Sequence, residues 1–172
     1  NEDTVIFYPA QFWTHKNHSN LVLAFSRLAS EHPGLRLVLC GADKGSLSDV
    51  MMRVKNLGIS ARVNILGFVS EATLVDTYRR AAVVVIPSRF ESISIPMYEA
   101  FAMKVPVACS HLNGLVNQGG DAAIYFDPES VDEISEAIGK LVKIGPLRRK
   151  LIEAGQKRLK SIMSNEPLRV FL

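Results

Sequence analysis

Residues 81–102 read AAVVVIPSRFESISIPMYEAFA, and this stretch decides the fold. Val83–Ile86 is continuously apolar and β-branched, which predicts a strand covered on both faces. Pro87–Ile95 predicts a loop, and Pro96 suits the first turn of a helix, where its missing N–H costs little. A buried strand that leads through a loop into a helix is typical of a parallel sheet covered by helices.

The rest of the chain repeats this alternation. Further strands are predicted at Val5–Tyr8, Leu35–Cys40, Val63–Leu66, Val105–Cys109 and Ala123–Phe126. Apolar residues at helical spacing predict helices between the strands and two more near the end. Asn113–Gly114 and Gly119–Asp121 are interpreted as turns. We therefore predict an α/β fold, a Rossmann-like parallel sheet of about six strands with helices on both faces.

The composition fits a single cytoplasmic domain. The chain has 172 residues, of which 48% are hydrophobic, and no apolar run reaches the roughly 18 residues of a membrane span. The acidic start Asn1–Asp3 does not resemble a signal peptide, and the missing initiator Met leads us to expect a piece of a longer protein. Cys40 and Cys109 lie in apolar runs, which favours reduced, buried thiols. We assign residues 1–163 to the domain and leave 164–172 unassigned.

The net charge is +3, and much of the basic excess lies near the end, in Arg148, Arg149, Lys150, Lys157, Arg158 and Lys160. This pattern favours a solvated helix face, with cations toward the helix C-terminus where the dipole favours them. The alternative is a surface for acidic lipid head groups, which leaves a peripheral membrane contact of the full protein open. Nucleic acid is not expected as a partner, because no aromatic residues interleave with these charges.

Two carboxylates near the opening stretch suggest chemistry. Glu91 belongs to the predicted loop and Glu99 to the start of the next helix, so that they can serve two parts of one ligand. Between them, the backbone N–H groups of Ser94, Ile95 and Met97 are expected to point out of the helix start as free donors. Such donors at the positive end of a helix dipole suit a phosphate. Either glutamate alone would be interpreted as a surface charge.

The segment from Glu91 to Val107 resembles the signature of the family 4 glycosyltransferases, the large retaining group with the GT-B fold. The family pattern is approximately E-G-F-G-L-P-x-L-E-A-M-A-x-G-x-P-V, and this chain has E-S-I-S-I-P-M-Y-E-A-F-A-M-K-V-P-V. Both glutamates, the first proline, the Glu-Ala pair and the closing Pro-Val match. The resemblance implies that Glu91 hydrogen-bonds hydroxyls of the donor sugar and that Glu99 holds the ribose of the nucleotide.

A second resemblance follows the first predicted strand. The family has G-R-L-x-x-x-K there, and this chain has A-Q-F-W-T-H-K at residues 10–16. Lys16 takes the lysine position, which implies a cation that stabilises the leaving diphosphate. Gln11 takes the arginine position, where it can donate a hydrogen bond but supplies no charge. The candidates to compensate for the missing charge are His15, Asn17 and His18.

Weaker resemblances concern other loops at the carboxyl ends of the strands. Residues 67–70 resemble the family's G-x-V-S/P turn, which implies that the backbone near Val69 meets the base. Gly41 ends the second strand and either lets backbone approach the nucleotide or is a plain strand-to-loop turn. Glycines of the family pattern are replaced here by Ser92, Ser94 and Lys104.

Together these resemblances imply the C-terminal, donor-binding domain of a retaining glycosyltransferase. The donor would be a UDP-, GDP- or ADP-sugar, and the acceptor a hydroxyl of a glycan or small molecule. No Asp-x-Asp triplet occurs, so we expect no metal and no other cofactor. The acceptor-binding half of such enzymes is normally N-terminal, and we therefore expect this chain to bind nucleotide but to transfer no sugar without that domain.

Functions of other classes stay open at this stage. A sugar-nucleotide epimerase of GT-B fold would form product without an acceptor, and a non-catalytic nucleotide-binding module would form none. The two glutamates also suggest a glycoside hydrolase pair, but the nearby phosphate donors favour a nucleotide. A NAD-dependent dehydrogenase is disfavoured because no G-x-G-x-x-G follows Val5–Tyr8. A response regulator is disfavoured because no aspartates cluster there.

Overall fold

The computed structural model describes residues 3–165. The strands in chain order are β1 (Thr4–Pro9), β2 (Leu35–Cys40), β3 (Val63–Ile65), β4 (Ala81–Ile86), β5 (Val107–Ser110) and β6 (Ala123–Phe126). They form one parallel sheet in the order β3-β2-β1-β4-β5-β6. This order is that of a Rossmann fold. The predicted sheet of six strands is confirmed.

Helices cover the sheet and alternate with its strands. They are α1 (His18–Glu31), α2 (Leu47–Asn56), α3 (Glu71–Arg80), α4 (Ile95–Ala102), α5 (Asn113–Gly119), α6 (Val131–Val142) and α7 (Pro146–Asn165). α1 packs against α6, and α4 packs against α7. The predicted α/β class is therefore confirmed.

The strand Ala81–Ile86 lies in the middle of the sheet, as its sequence predicts. β4 is hydrogen-bonded to β1 on one side and to β5 on the other. Val83, Val84, Val85 and Ile86 are each at most 1% exposed, because helices cover both faces of a central parallel strand. Continuous β-branched sequence thus marks the core of the domain.

The order of the strands opens a crevice beside the first and fourth of them. From β1 the chain proceeds outward to β2 and β3, and then returns across the sheet to β4 on the other side of β1. The loops that follow β1 and β4 therefore leave the sheet in opposite directions. In open parallel sheets, ligands bind at this switch point, outside the carboxyl ends of the strands. Both loops carry residues singled out from the sequence.

One prediction about secondary structure is wrong. Residues 113–119 form helix α5, although Asn113–Gly114 and Gly119–Asp121 were interpreted as turns. The helix is short and has no apolar period, and its buried face consists of Leu115, Gln118 and Gly119. Gly120 caps the end of α5 with a φ of 56°, so this part of the predicted turn exists.

The C-terminal helix continues beyond the predicted domain boundary. α7 extends to Asn165, two residues past 163, while 166–172 lie outside the described residues. The boundary therefore stays a prediction. Within residues 3–165 there is no helix that is long and apolar enough to cross a membrane.

Two of the basic residues near the C-terminus are not simply solvated. Arg148 Nη1 donates to the Leu141 carbonyl in the last turn of α6 at 3.3 Å. Arg158 Nε donates to the Gln118 carbonyl in α5 at 3.0 Å. Cations at the C-terminal ends of helices satisfy carbonyl groups that have no partner within the helix. The interpretation of this face as wholly solvated is therefore wrong at these two positions.

Candidate functional site

The loop after β1 is fixed to the loop after β4. Asn17 adopts a left-handed conformation with a φ of 59°. Its buried amide nitrogen Nδ2 donates to the Pro87 carbonyl at 3.0 Å and to the Pro128 carbonyl at 2.8 Å. Buried Tyr8, near the end of β1, donates its hydroxyl to the Lys16 carbonyl at 3.1 Å. These hydrogen bonds hold Lys16 at the switch point.

Lys16 and Glu91 meet directly. Lys16 Nζ lies 2.5 Å from Glu91 Oε2, and the two side chains are 21% and 13% exposed. The Ser88 hydroxyl, which is fully buried, donates to the same carboxylate oxygen at 3.0 Å. The structure thus brings together two residues that are 75 positions apart in sequence. A mostly buried ion pair with a further hydrogen bond is held in one geometry, which an isolated surface pair is not.

Tyr8 lies beside Ser88, the residue that donates to Glu91. Its hydroxyl lies 3.2 Å from the Ser88 hydroxyl. Burial raises the pKa of Tyr8 far above its usual value, and the negative charge of Glu91 raises it further. Tyr8 therefore stays protonated at every pH of interest and remains a hydrogen-bond donor. The two hydroxyls lie side by side, and each gives its one proton to the ion pair's surroundings: Tyr8 to the Lys16 carbonyl and Ser88 to the Glu91 carboxylate.

A cavity of about 260 Å³ opens over this pair. Its lining includes Gln11, Trp13, Lys16, Glu91 and Ser94, so four of the predicted site residues share one pocket. The volume is below the roughly 300–1,000 Å³ of ordinary ligand pockets. A larger open groove of about 560 Å³ lies between α1 and α6 and is lined by different residues. A cavity of this size is more consistent with one wall of a ligand-binding cleft than with a complete ligand site.

Glu99 is held by another hydrogen bond. The Tyr78 hydroxyl of α3 donates to Glu99 Oε2 at 2.6 Å. Burial raises the pKa of Tyr78, and its hydrogen bond to Glu99 raises that pKa further, so the tyrosine stays a donor. The Tyr78 ring packs edge-on against Phe7 of β1 with ring centroids 5.0 Å apart. Glu99 is not part of the cavity lining, although Pro96, in the first turn of the same helix, is.

The backbone amides at the start of α4 are not all free, contrary to expectation. The Ser94 N–H donates to Gln118 Oε1 at 2.8 Å, and the Met97 N–H donates to the Ser94 carbonyl at 3.2 Å. The first amide is satisfied by a buried side chain of α5, an element that was not predicted. The second closes the first turn of α4. The Ile95 side chain is 67% exposed.

Close packing of the backbone explains why position 41 is a glycine. A side chain at this position would collide with the Ala10 carbonyl of the loop after β1. The Gly41 N–H also donates to the Gly67 carbonyl at 2.8 Å. The missing side chain therefore makes room for the protein's own backbone, and the approach of a nucleotide to Gly41 stays a prediction. Val69 follows Gly67 and is half-buried against the core.

The comparison with known proteins gives the family. The sequence profile of the family described as "Glycosyl transferases group 1" matches residues 1–158. This chain belongs to that family. The mannosylfructose-phosphate synthase of Agrobacterium fabrum is 27% identical, over 95% of this chain and 38% of that protein. The D-inositol 3-phosphate glycosyltransferase of Corynebacterium jeikeium is 31% identical, over 84% of this chain and 36% of that protein.

Solved structures of glycosyltransferases share the fold. The Anabaena protein HepE, crystallised in complex with UDP and glucose, has a TM-score of 0.82 at 17% identity, over 93% of this chain and 44% of that chain. The present chain spans less than half the length of these relatives. It is therefore one domain of a group 1 glycosyl transferase, with the Rossmann-like architecture of a GT-B half.

The family glycine that Lys104 replaces has a conformational reason. Lys104 follows α4 with a φ of 58°, in the left-handed region that costs an ordinary residue about 1–2 kcal/mol. Glycine adopts this conformation after a helix without steric cost. The Lys104 side chain is exposed, so the departure from the glycosyl transferase pattern strains the backbone without blocking the cavity.

Neither Asn17 nor His18 restores the positive charge that is missing at Gln11. Asn17 and His18 are buried, and burial, with a smaller effect of the Lys16 charge, lowers the pKa of His18 to about 4. His18 is therefore neutral at physiological pH. His15 lines the cavity. The Gln11 side chain is exposed and accepts a hydrogen bond from the indole Nε1 of Trp13 at 2.9 Å.

Several residues that contribute to the site were not among the sequence-based candidates. Ser88 and Tyr78 each donate a hydrogen bond to a site carboxylate, 3 and 21 positions away, and Gln118 makes two hydrogen bonds to Ser94, 24 positions away. Ser88 lies two residues after the end of the buried strand β4, which is the one signal that could have marked it. Tyr78 lies at helical spacing from apolar residues of α3, so its sequence context indicates only a core position. Within residues 3–165 there is no group of three or more His, Cys, Asp or Glu side chains that could hold a metal ion.

Proposed function

We propose that this chain is the donor-binding domain of a retaining glycosyltransferase and that it binds a nucleoside-diphosphate sugar over the Lys16–Glu91 pair. The observation that carries the proposal is the 2.5 Å contact between these two side chains at the switch point of the sheet. A cation and a carboxylate side by side match a ligand with an anionic diphosphate next to a hydroxyl-rich sugar.

Lys16 and Glu91 exchange partners when the donor binds. Without a ligand each neutralises the other, so neither is a buried unpaired charge. In the complex, Lys16 contacts the diphosphate, and Glu91 accepts hydrogen bonds from sugar hydroxyls. As the bond from the anomeric carbon to the diphosphate breaks, negative charge builds on the leaving oxygens, and Lys16 stabilises it. The acceptor oxygen then bonds to the anomeric carbon with retention of configuration, and the hydroxyl proton passes to the departing diphosphate.

Glu99 is the proposed ligand of the ribose hydroxyls. One of its carboxylate oxygens, Oε2, already accepts from Tyr78, and a carboxylate has capacity for further hydrogen bonds. Tyr78 sets the orientation of the carboxylate before the nucleotide arrives. The base is proposed to lie toward Val69 and Gly41, at the ends of the neighbouring strands. UDP is one suitable probe, because HepE was crystallised with it, and GDP and ADP are the alternatives.

Gln11, Ser94 and Ile95 are proposed to complete the phosphate contacts. Gln11 lines the cavity beside Lys16 and presents an amide donor. Ile95 begins α4, whose N-terminus carries partial positive charge. Ser94 contributes its side chain, since its N–H is taken by Gln118. With Lys16 as the cation, we propose that donor binding requires no divalent metal, and nucleotide affinity is therefore expected to be unchanged in EDTA.

The rest of the enzyme is proposed to supply the other wall of the cleft. The chain covers less than half of its relatives, and the cavity is too small for a nucleotide sugar. An N-terminal domain of the same protein would bind the acceptor and close over the donor. Cys40 and Cys109 are free, which fits a reducing compartment such as the cytoplasm.

Titration calorimetry with UDP, GDP and ADP tests the proposal. We expect the native chain to bind at least one of them and Glu99→Ala to bind it about tenfold more weakly, since two hydrogen bonds to ribose are lost. The matched control is Glu153→Ala, an exposed glutamate on α7. Failure of all three nucleotides to bind would remove the basis of the proposal. Unchanged affinity of Glu99→Ala would remove only the ribose role.

A further inference from the structure

Helix α5 contacts the Glu91 loop through one buried glutamine. Gln118 is 6% exposed. Its Oε1 accepts from the Ser94 N–H at 2.8 Å, and its Nε2 donates to the Ser94 carbonyl at 2.6 Å. One side-chain amide thus satisfies both polar groups of a single loop residue. A buried amide that lost this partner would leave both groups unsatisfied.

The same face of α5 contacts the loop a second time. Gly114 lies four residues before Gln118, which is about one turn of the helix. A Cβ atom at Gly114 would lie 2.7 Å from the Glu91 carbonyl oxygen and would also collide with the Ser92 carbonyl. The helix backbone therefore rests directly on the residues that present the Glu91 side chain. This glycine is required by close packing, since its φ is not in the left-handed region.

The far end of α5 is held by the C-terminal helix. Arg158 of α7 donates from Nε to the Gln118 carbonyl at 3.0 Å and also donates to the Asn117 carbonyl. These are among the last carbonyls of α5, where a cation is favourable. α7 in turn packs against α4. The loop, α4, α5 and α7 therefore form one connected unit beneath the cavity.

We propose that Gln118 is a positioning residue for the donor site: by holding both backbone groups of Ser94 it fixes the Glu91 loop against the start of α4. This inference rests on the proposed function. Gln118 itself touches no ligand. It also removes the Ser94 N–H from the donors available to a phosphate, so the geometry of the loop, rather than a free amide, is what α5 contributes. Small displacements of such groups reduce function strongly, because binding groups must be held within fractions of an ångström.

The first test compares two glutamines that are changed in the same way. Gln118→Met removes the two hydrogen bonds to Ser94 with little change of volume. Gln156→Met removes the hydrogen bond from Gln156 Nε2 to the Phe101 carbonyl, in the second half of α4 and away from the loop. We expect about tenfold weaker binding of the nucleotide for Gln118→Met and a change of less than about twofold for Gln156→Met.

A spectroscopic measurement separates positioning from general destabilisation. Hydrogen exchange of the Ser94 amide, followed by NMR, is expected to be slow in the native chain and in Gln156→Met. In Gln118→Met it should become much faster, while the amides of the central strand β4 remain protected. Equal acceleration of Ser94 and of β4 would show global unfolding and would contradict a positioning role.

A second variant keeps the inference testable if Gln118→Met does not fold. Gly114→Ala removes no hydrogen-bonding group but pushes the backbone of residues 91–92, and we expect it also to weaken nucleotide binding about tenfold. Its control is Gly34→Ala, where an added Cβ meets no atom within 4 Å. If Gly114→Ala binds the nucleotide as tightly as the native chain, and Gln118→Met does too where it folds, the inference is wrong but the proposed donor site is unaffected. If the native chain binds none of UDP, GDP and ADP, the proposed function fails first.

Discussion

The two sides of the cavity are built differently. On the inner side, the side chains of Lys16 and Glu91 are mostly buried. Glu91 accepts a hydrogen bond from Ser88, and the backbone carbonyl of Lys16 accepts one from Tyr8. On the outer side, Gln11 is exposed, Trp13 is 42% exposed, and the two share a hydrogen bond of 2.9 Å. The inner pair is therefore pre-organised, whereas the outer pair can move with little cost.

This difference indicates where the family pattern can change. Replacing the inner lysine would leave the Glu91 carboxylate mostly buried and unpaired, which is costly. Replacing the outer arginine of the pattern by Gln11 leaves no buried charge, because the side chain is exposed. The departure from the pattern lies on the side that tolerates it. Four variants test this contrast.

The largest effect is expected at the inner pair. Lys16→Ala should weaken binding of the nucleotide about 100-fold, because a charge-assisted contact to the diphosphate is lost. Calorimetry measures the change. The control is Lys140→Ala, which breaks an exposed pair with Glu136 and should leave affinity unaltered. Similar affinities for both variants would show that the inner pair is not part of a donor site.

The inner side should also limit stability in acid. His18 stacks on Phe12 with ring centroids 4.3 Å apart, beneath the Lys16 loop. Its pKa is lowered to about 4 by burial, against about 6.5 in the unfolded chain. Its contribution is fully present above pH 6.5 and is lost as the pH falls toward 4, by up to about 1.4 kcal/mol per pH unit.

His18→Phe removes this titrating group and keeps an aromatic ring in the stack. Urea unfolding at pH 7, 6, 5 and 4 should therefore show a shallower loss of stability for the variant than for the native chain. Parallel curves for the two proteins would mean that His18 does not titrate with a lowered pKa.

The outer side should show a smaller effect with the opposite sign. Gln11→Arg restores the charge of the family pattern, and we expect nucleotide affinity to rise by about threefold, since an exposed charge pair contributes little. Gln11→Met, which removes the amide but not the bulk, is the comparison and should lower affinity slightly. A 100-fold gain in the arginine variant would place Gln11, rather than Lys16, at the centre of phosphate binding.

The smallest effect on nucleotide affinity is expected away from both sides. Lys104→Gly relieves the left-handed backbone after α4, and we expect the free energy of unfolding to rise by about 1 kcal/mol with no change in nucleotide affinity. Thermal unfolding measures the first quantity and calorimetry the second. An altered affinity would show that this turn influences the donor site, although the turn lies on neither side of the cavity.

The fold was predictable from the sequence where the signal is repeated. Six apolar runs, each bounded by a turn, define the sheet, because a buried parallel strand needs continuous apolar sequence. Helix α5 was missed for the converse reason. It is seven residues long and has a polar residue, Gln118, on its buried face. Nothing in the local sequence distinguishes such a helix from a pair of turns.

The site was predictable only in part. The positions of Lys16 and Glu91 at the ends of β1 and β4 follow from the topology, since adjacent parallel strands bring their following loops together. The role of each residue stays a prediction. The occupied amide of Ser94 and the collision that requires Gly41 could not be foreseen, because each depends on a tertiary contact with a distant segment. Spacing along the chain predicts which loops meet, not which atoms are already satisfied.

A crystal structure of this chain with a bound nucleoside diphosphate tests the central claim most directly. We predict a phosphate oxygen within hydrogen-bond distance of Lys16 Nζ, with the ribose hydroxyls at the carboxylate of Glu99 and Glu91 left free to accept from a sugar. A nucleotide seated instead in the groove between α1 and α6, with the Lys16–Glu91 pair undisturbed, would contradict the account.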